Sequence, residues 1–134
     1  METVRMITNE LAIAGPLTFQ QFHQLAKDGF KAILNLRSLD TYLLINEQQH
    51  VTSLGLHYIN IPIDCLAMTP ETAGSVLKQI DQLPKPTLVY CNNAMLAAAM
   101  VLMHISTHQG ETLPQAFQRA ENMGLFQVSA EAAI

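Results

Sequence analysis

The segment TLVYCNNAML, residues 87–96, decides how this chain folds, because it places a cysteine between an apolar run and a helical stretch. Residues 87–90 have the length and character of a buried strand, and an alanine-rich stretch begins at Ala94. Cys91 is therefore expected on a strand–loop–helix turn, where free N–H groups and the helix dipole stabilise a thiolate and a bound oxyanion. The loop lacks the glycine and the arginine that such a site normally uses.

Alternating strand and helix patterns extend in both directions from this segment. Threonines with helix-capping character precede three of the helices, and glycine or proline follows most of them. The strand 56–63 is predicted to be a central one, and the last ten residues are either a docking segment or a frayed end. The pattern predicts strands at 4–7, 11–14, 31–36, 56–63 and 86–90, and helices between residues 18 and 29, 40 and 54, 69 and 84, 94 and 108, and 112 and 124.

The order of these elements predicts an α/β fold. Strand and helix alternate from residue 31 onward, which requires crossover connections and a mostly parallel central sheet of four or five strands with helices on both faces. We expect residues 1–134 to form a single domain that needs no metal, cofactor or disulfide to fold. Ligands bind such sheets at the carboxyl ends of the strands, which selects residues 37–38, 64–65 and 91–93.

The charge of the chain argues against two classes of partner. Its net charge is −4, and its three arginines form no basic cluster, so nucleic acid and anionic membranes are not expected partners. Only 13% of the residues are charged, against ~25% in typical soluble domains. The surplus of apolar residues is compatible with a homo-oligomer.

The sequence also indicates a cytoplasmic location. The longest uncharged stretch, residues 86–110, contains asparagines and histidines and so does not resemble a membrane span. The first residues lack the basic flank and apolar core of a secretory signal. Cys65 and Cys91 lie on separate elements and are expected to be free thiols in a reducing cytosol.

Cys91 has two interpretations. A cysteine at a strand end is often only a small core side chain, but the start of a helix directly after Cys91 favours its thiolate form. The N–H groups of residues 93–96, that is Asn93, Ala94, Met95 and Leu96, can form an anion nest together with Asn92. The position predicts a nucleophile and an anion site; it does not prove attack on a substrate.

Asp64 and Arg37 are the other candidates at this edge, and each has a structural alternative. Asp64 can act as a general acid opposite a thiolate, or it can cap the loop after residues 62–63. Arg37 can clamp an anion through two hydrogen bonds, or it can pair with Asp40 or a helix carbonyl. The residues alone leave both choices open.

The remaining metal-binding and thiol residues give weaker signals. His104 and His108 have the i, i+4 spacing that can ligate zinc, but no third ligand is close in sequence, which favours a partly exposed helix surface without metal. Cys65 can be a resolving thiol for Cys91 or a packed core side chain.

Three segments in a fixed order carry a family resemblance: ITNELAIAG at 7–15, GFKAILNLR at 29–37 and GLHYINIPID at 55–64. They resemble the bacterial dual-specificity-phosphatase-like family, DUF442, which includes the phosphatase-like part of beta-lactamase-hydrolase-like proteins. The resemblance covers roughly residues 4–105 and implies the cysteine-phosphatase fold, a three-layer α/β sandwich. By position it gives Cys91 the role of nucleophile, Asp64 that of general acid, and Arg37 that of the arginine after the second core strand.

The catalytic loop departs from the pattern of this family. Tyr90 replaces a histidine, Ala94 replaces a glycine, and Leu96 stands where the loop arginine would fall; Ala97 at the next position does not restore it. An arginine that grips the equatorial phosphate oxygens contributes ~10³-fold or more to phosphoryl transfer. The loop therefore predicts weak or absent phosphatase activity.

Two functional hypotheses follow. The first is a phosphatase-like domain with a degenerate loop that binds phosphate, sulfate, a phosphorylated ligand or a protein partner in a regulatory or structural role. The second is an active cysteine-dependent enzyme. It would be either a phosphatase in which Arg37 replaces the lost cation or a sulfurtransferase that carries a persulfide on Cys91, since sulfur transfer needs less charge stabilisation.

Overall fold

A computed structural model describes residues 4–128, which contain five strands and five helices. In chain order the elements are β1 (Val4–Met6), β2 (Leu11–Ala14), α1 (Phe19–Lys27), β3 (Ala32–Asn35), α2 (Thr41–Ser53), β4 (His57–Asn60), α3 (Pro70–Gln82), β5 (Thr87–Tyr90), α4 (Ala94–His108) and α5 (Leu113–Asn122).

The strands form one sheet in the order β1-β2-β5-β3-β4. Only β1 and β2 pair antiparallel; β5 pairs parallel with both β2 and β3, and β3 pairs parallel with β4. The predicted mostly parallel α/β sheet is confirmed. Since β5 occupies the middle of the sheet, Cys91 leaves it at its centre.

Two separate apolar cores show that helices cover both faces of the sheet. On one face Phe22 of α1 and Val51 of α2 pack with Ile33 and Leu88 of the strands. On the other face α3, α4 and α5 pack against alternate side chains of the same strands. The second core includes Val76, Ile80, Met100, Phe117, Leu34 and Val89. The molecule therefore has the three layers expected from the sequence.

The predicted helix starts are confirmed at the caps. Thr18 and Thr112 each form a capping box with the glutamine three residues later, and the Thr69 side chain accepts from the N–H of Thr72. These side chains satisfy N–H groups that have no partner within the helix. The threonine that precedes each of these three helices thus determines where the helix begins.

One expectation for the middle of the chain is wrong, and one buried residue was not predicted. The strand β4 lies at the edge of the sheet rather than in its centre, and of its four side chains only Tyr58 is buried. In α2, Val51 is buried and Leu44 packs against the same core, but Leu43 is exposed and the charged Glu47 is buried. Periodicity identified both elements but not the neighbours against which they pack.

The end of the described chain packs against the body of the fold. Phe126 is buried with its ring centroid 4.9 Å from that of Phe117, and Val128 forms an isolated parallel bridge with Met68. The rest of the predicted terminal segment lies outside the described residues. Within residues 4–128, no helix combines the length and apolar character that a membrane crossing requires.

Candidate functional site

The three loops selected from the sequence meet in one cavity of about 410 Å³ at the carboxyl edge of the sheet. This edge, which we call the Cys91 edge, contains the ends of β3 and β5 and the segment after β4. Its lining residues are Arg37, Ser38, Pro62, Ile63, Asp64, Cys65, Cys91, Asn92, Asn93 and Leu96. Arg37, Asp64 and Cys91 are thus brought together, although they are far apart in sequence.

Cys91 occupies the floor of this cavity. Its residue surface is only 6% exposed, and its backbone N–H donates to the carbonyl of Ala14 at 3.3 Å, which extends the β5–β2 pairing by one residue. Cys65 lines the same cavity, and both thiols are free. The site therefore holds two cysteines, one buried and one partly exposed.

The start of α4 uses part of its own hydrogen-bonding capacity. The Asn93 side chain caps the helix by accepting from the N–H of Met95 at 2.9 Å, and the N–H of Leu96 donates to the Asn93 carbonyl at 3.0 Å. Two of the four amides predicted to form an anion nest are therefore engaged. Ala94 and Met95 are not among the cavity-lining residues, so anion binding here rests on Asn92 and Asn93 and stays a prediction.

Asp64 performs the structural role that the sequence offered as one alternative. Its Oδ1 accepts from the N–H of Leu66 at 2.8 Å, and its carbonyl accepts from the N–H of Ala67 at 3.1 Å. These bonds close the turn after Ile63. One carboxylate oxygen is thus used by the turn, and the general-acid role remains a prediction.

Arg37 is held by a group of side chains that sequence reasoning missed. Its Nη2 lies 2.6 Å from Glu47 Oε1 and 3.0 Å from the Tyr90 hydroxyl, and its Nε donates to Asn35 Oδ1 at 3.2 Å. The guanidinium also lies over the Tyr90 ring, with Cζ 4.8 Å from the centroid. The partner is not Asp40, whose carboxylate instead caps α2 through the N–H of Leu43.

Glu47 is the centre of this group. Its Oε2 accepts from the hydroxyls of Tyr58 and Tyr90 and from Asn35 Nδ2, so both carboxylate oxygens are hydrogen-bonded. The side chains of Arg37 and Glu47 are only 11% and 8% exposed. We refer to Asn35, Arg37, Glu47, Tyr58 and Tyr90 as the Glu47 network. A buried carboxylate is tolerated only with such complete pairing.

The ionisation of the network follows from its geometry. Burial alone would lower the pKa of Arg37, but its interactions with Tyr90 and Glu47 outweigh burial and raise that pKa above its usual value. Burial, followed by the hydrogen bond to Glu47, raises the pKa of both Tyr58 and Tyr90. Arg37 is therefore charged, and both phenols keep the protons that they donate to Glu47.

The cavity consequently offers little positive charge to an anion. Among its lining residues Arg37 is the one lysine or arginine, and the Glu47 carboxylate neutralises it. The Asp64 carboxylate also lines the cavity and adds no positive charge. Leu96, at the position where the resemblance predicts an arginine, is 1% exposed and packs in the core.

A signal for Glu47 was present in the sequence. Leu44, Glu47, Val51 and Leu54 follow one another at helical spacing, so the glutamate interrupts an apolar stripe. A charged residue in such a stripe requires a buried partner. Asn35 and Tyr58 lie on strands and gave no comparable signal.

Comparison with solved structures agrees with this geometry. A DUF442 candidate phosphatase of Shewanella putrefaciens superposes with a TM-score of 0.70 at 24% identity, over 87% of this chain and 80% of that one. A second structure of a DUF442 candidate phosphatase from Shewanella putrefaciens gives 25% identity and the same TM-score, over 85% of this chain and 74% of that one. This chain has the DUF442 phosphatase-like fold. A candidate phosphatase of Neisseria meningitidis matches this phosphatase-like chain with a TM-score of 0.68 at 18% identity, over 94% of this chain and 92% of that one.

The resemblance read from the three sequence segments is confirmed by these neighbours. No protein-family model and no curated protein matches the sequence of this phosphatase-like chain. The likeness therefore lies mainly in the arrangement of the sheet and helices. It concerns the scaffold.

The first prediction concerns the charge pair of the phosphatase-like domain. Glu47→Gln should lower the free energy of unfolding by about 3 kcal/mol, because it leaves the Arg37 charge buried without a counter-charge. Urea unfolding followed by circular dichroism measures this value. The double variant Glu47→Gln with Arg37→Met should recover part of the loss, since neither buried charge remains.

The exposed pair of Arg119 with Glu111, at 2.8 Å, provides the matched control. Glu111→Gln should change the free energy of unfolding by less than about 1 kcal/mol, as is usual for surface ion pairs. Equal losses at the two sites would contradict a special role for Glu47.

The second prediction concerns alkaline pH. Because folding raises the pKa of Tyr58 and Tyr90, their contribution to stability is complete below the unfolded value of about 10 and declines as the pH rises above it. Tyr42 is the third tyrosine, so a Tyr42→Phe chain reports only on the network. As the pH is raised, the phenolate absorbance of the Tyr42→Phe chain should appear together with unfolding. Phenolate absorbance that appears while the chain remains folded would contradict the network.

Proposed function

We propose that this chain is a phosphatase-like domain with little or no phosphatase activity that binds a small anion or a phosphorylated ligand at the Cys91 edge. The observation that carries the proposal is the commitment of Arg37 to Glu47. A guanidinium whose Nη2 lies 2.6 Å from a buried carboxylate is not free to grip phosphate oxygens. Its release would leave the Glu47 charge without a counter-charge.

The chemistry of phosphoryl transfer makes this commitment decisive. The transferring group carries negative charge on its equatorial oxygens, and catalysis consists largely of positioning and of stabilising that charge. In this domain the loop arginine is replaced by the buried Leu96, and the remaining Arg37 already has a counter-charge. The Cys91 thiol is left without the cation that would stabilise its attack on a phosphate.

Weak binding of an anion is compatible with the same residues. Asn92 and Asn93 are exposed at the N-terminus of α4, where amide groups and the helix dipole attract negative charge. A fold neighbour, TpbA of P. aeruginosa, was solved in complex with pTyr, so this scaffold can hold a phosphorylated ligand. We assign the domain a regulatory or structural role in the cytoplasm.

The second candidate function is thiol chemistry, which the presence of Cys65 and Cys91 in one cavity favours. A persulfide carried by Cys91 needs less charge stabilisation than a phosphoryl group. Alkylation by iodoacetamide separates the candidates. Rapid reaction of Cys91 at about pH 6 indicates an activated thiolate and supports an enzyme. Reaction only at alkaline pH counts against both a cysteine-dependent phosphatase and a sulfurtransferase.

The third prediction is the rate of phosphate-ester hydrolysis. With para-nitrophenyl phosphate the purified chain should be at least ~10³-fold slower than an active cysteine phosphatase, because the charge on the transferring group is not stabilised. Cys91→Ser should leave the residual rate unchanged. An ordinary phosphatase rate that disappears in Cys91→Ser would overturn the proposal.

The fourth prediction concerns the sign of the charge in the cavity. Asp64→Asn should strengthen sulfate binding roughly two- to fivefold by removing a carboxylate, and Asn92→Asp should weaken it by a similar factor. Sulfate titration followed by NMR chemical shifts measures both affinities. Glu121→Gln on α5 removes an equal charge outside the cavity lining and serves as the control; an effect of Glu121→Gln as large as that of Asp64→Asn would contradict binding at the Cys91 edge.

A further inference from the structure

A second cluster of chemically capable side chains lies between α3 and α4. His104 and His108 occupy successive turns of α4, and Asp81 faces them from α3. Both Nε2 atoms lie 2.7 Å from Asp81 Oδ1. One possible ligand atom from each of these three side chains lies within 4.8 Å of the other two. Among residues 4–128, this is the group of His, Cys, Asp or Glu side chains that is close enough to share a metal ion.

The cluster is separate from the Cys91 edge. His104 follows Ala94 by ten residues, which places it ~15 Å further along α4 at 1.5 Å per residue. It borders its own cavity of about 480 Å³, which is also lined by Glu10 and Leu11 at the start of β2. The two cavities therefore lie at opposite ends of the parallel strands.

We propose that Asp81, His104 and His108 form a binding site for Zn²⁺. Two imidazole nitrogens and one carboxylate oxygen are ligands that zinc prefers, and three protein ligands leave a fourth position open to water or another donor. Sequence spacing alone gave only the two histidines; α3 supplies the third ligand. The fold thus creates a ligand set that no single segment contains.

The hydrogen bonds identify the atoms that bind the metal. For both histidines to donate to Asp81 Oδ1, each Nε2 must carry a proton, and Zn²⁺ takes the place of these two protons. His104 Nδ1 is buried with no partner among the described residues, so Nε2 is the nitrogen through which His104 reaches a ligand. Zinc bonds of ~2.0–2.1 Å require the ligand atoms to separate by roughly half an ångström.

That adjustment requires only side-chain movement. His108 is 58% exposed and Asp81 is 51% exposed, whereas His104 is 12% exposed. The two exposed side chains therefore have room to move apart from His104. The bound metal would join α3 to α4 on the face of the sheet that carries the larger core.

The surrounding charges are compatible with a cation. Asp81 contributes a carboxylate to the site; burial alone would raise its pKa, but hydrogen bonds and charge interactions with His104 and His108 lower it below its usual value. Glu10 adds a second carboxylate to the cavity. Lys85 also lines the cavity, but its Nζ donates to the carbonyls of Ile80 and Leu83 and is held against the backbone.

Zinc titration of the full chain, purified without a polyhistidine tag and treated with a chelator, tests the proposal. Calorimetry should show one Zn²⁺ bound per chain. His108→Ala changes the most exposed ligand, and it should weaken binding at least ~tenfold, since even indirect support of a metal ligand contributes 10–100-fold. Asp81→Asn should weaken it as well, while His57→Ala, which removes an exposed histidine on β4, should leave it unchanged.

Substitution of Co²⁺ distinguishes this site from the cysteines. The Co²⁺ protein should show visible bands of a tetrahedral N/O site without thiolate charge-transfer absorption, and Cys91→Ser should leave the spectrum unchanged. Absence of binding by the wild-type chain, unchanged affinity in folded His108→Ala, or loss of binding in Cys91→Ser would overturn the proposal. Circular dichroism of each variant establishes that it is folded.

Discussion

The buried carboxylate of Glu47 is the constraint on which the Cys91 edge depends. An unpaired ion at this depth would destabilise the fold by several kcal/mol, so the carboxylate requires a cation and a full set of donors. Arg37 supplies the cation from the end of β3, and Tyr58 and Tyr90 supply hydroxyls from β4 and β5. The Glu47 network therefore joins α2 to three neighbouring strands and reaches the cavity through Arg37.

The same pairing determines what the cavity can do. Arg37 follows a strand and lines the cavity at the edge of the sheet where ligands are expected, yet the Glu47 carboxylate already balances its charge. Tyr90 contributes to this, because its hydroxyl accepts from Arg37 and its ring lies under the guanidinium. Tyr90 and Leu96 differ from the residues that the family resemblance predicts at their positions, and both have structural explanations: one completes a buried network and the other fills the core. Chemistry that depends on a free guanidinium is disfavoured, whereas thiol chemistry and weak anion binding are not.

Much of the fold was predictable because its signals are local. Strand length, apolar periodicity and threonine caps gave the order of the elements and their approximate bounds, and the rule for parallel sheets selected the three loops of the Cys91 edge. The edge position of β4 was not predictable in this way, since the order of strands depends on contacts between distant segments. The burial of Glu47 was not predicted either, because the apolar residues of α2 do not define one face clearly.

The site was predictable only in part. Position along the chain identified Arg37, Asp64 and Cys91, but not the partners that determine their chemistry. Glu47 is separated from Arg37 by ten residues and from Tyr90 by 43, so only the folded chain brings them together. Asp81 illustrates the same limit, because it completes the histidine pair from a different helix.

A crystal structure of the protein soaked with phosphate tests the central claim most directly. The account predicts that Arg37 stays on Glu47, with Nη2 within hydrogen-bond distance of Oε1, and that any phosphate contacts Asn92, Asn93 or backbone amides instead. A structure in which the Arg37 guanidinium leaves Glu47 and grips the phosphate above Cys91 would contradict the account.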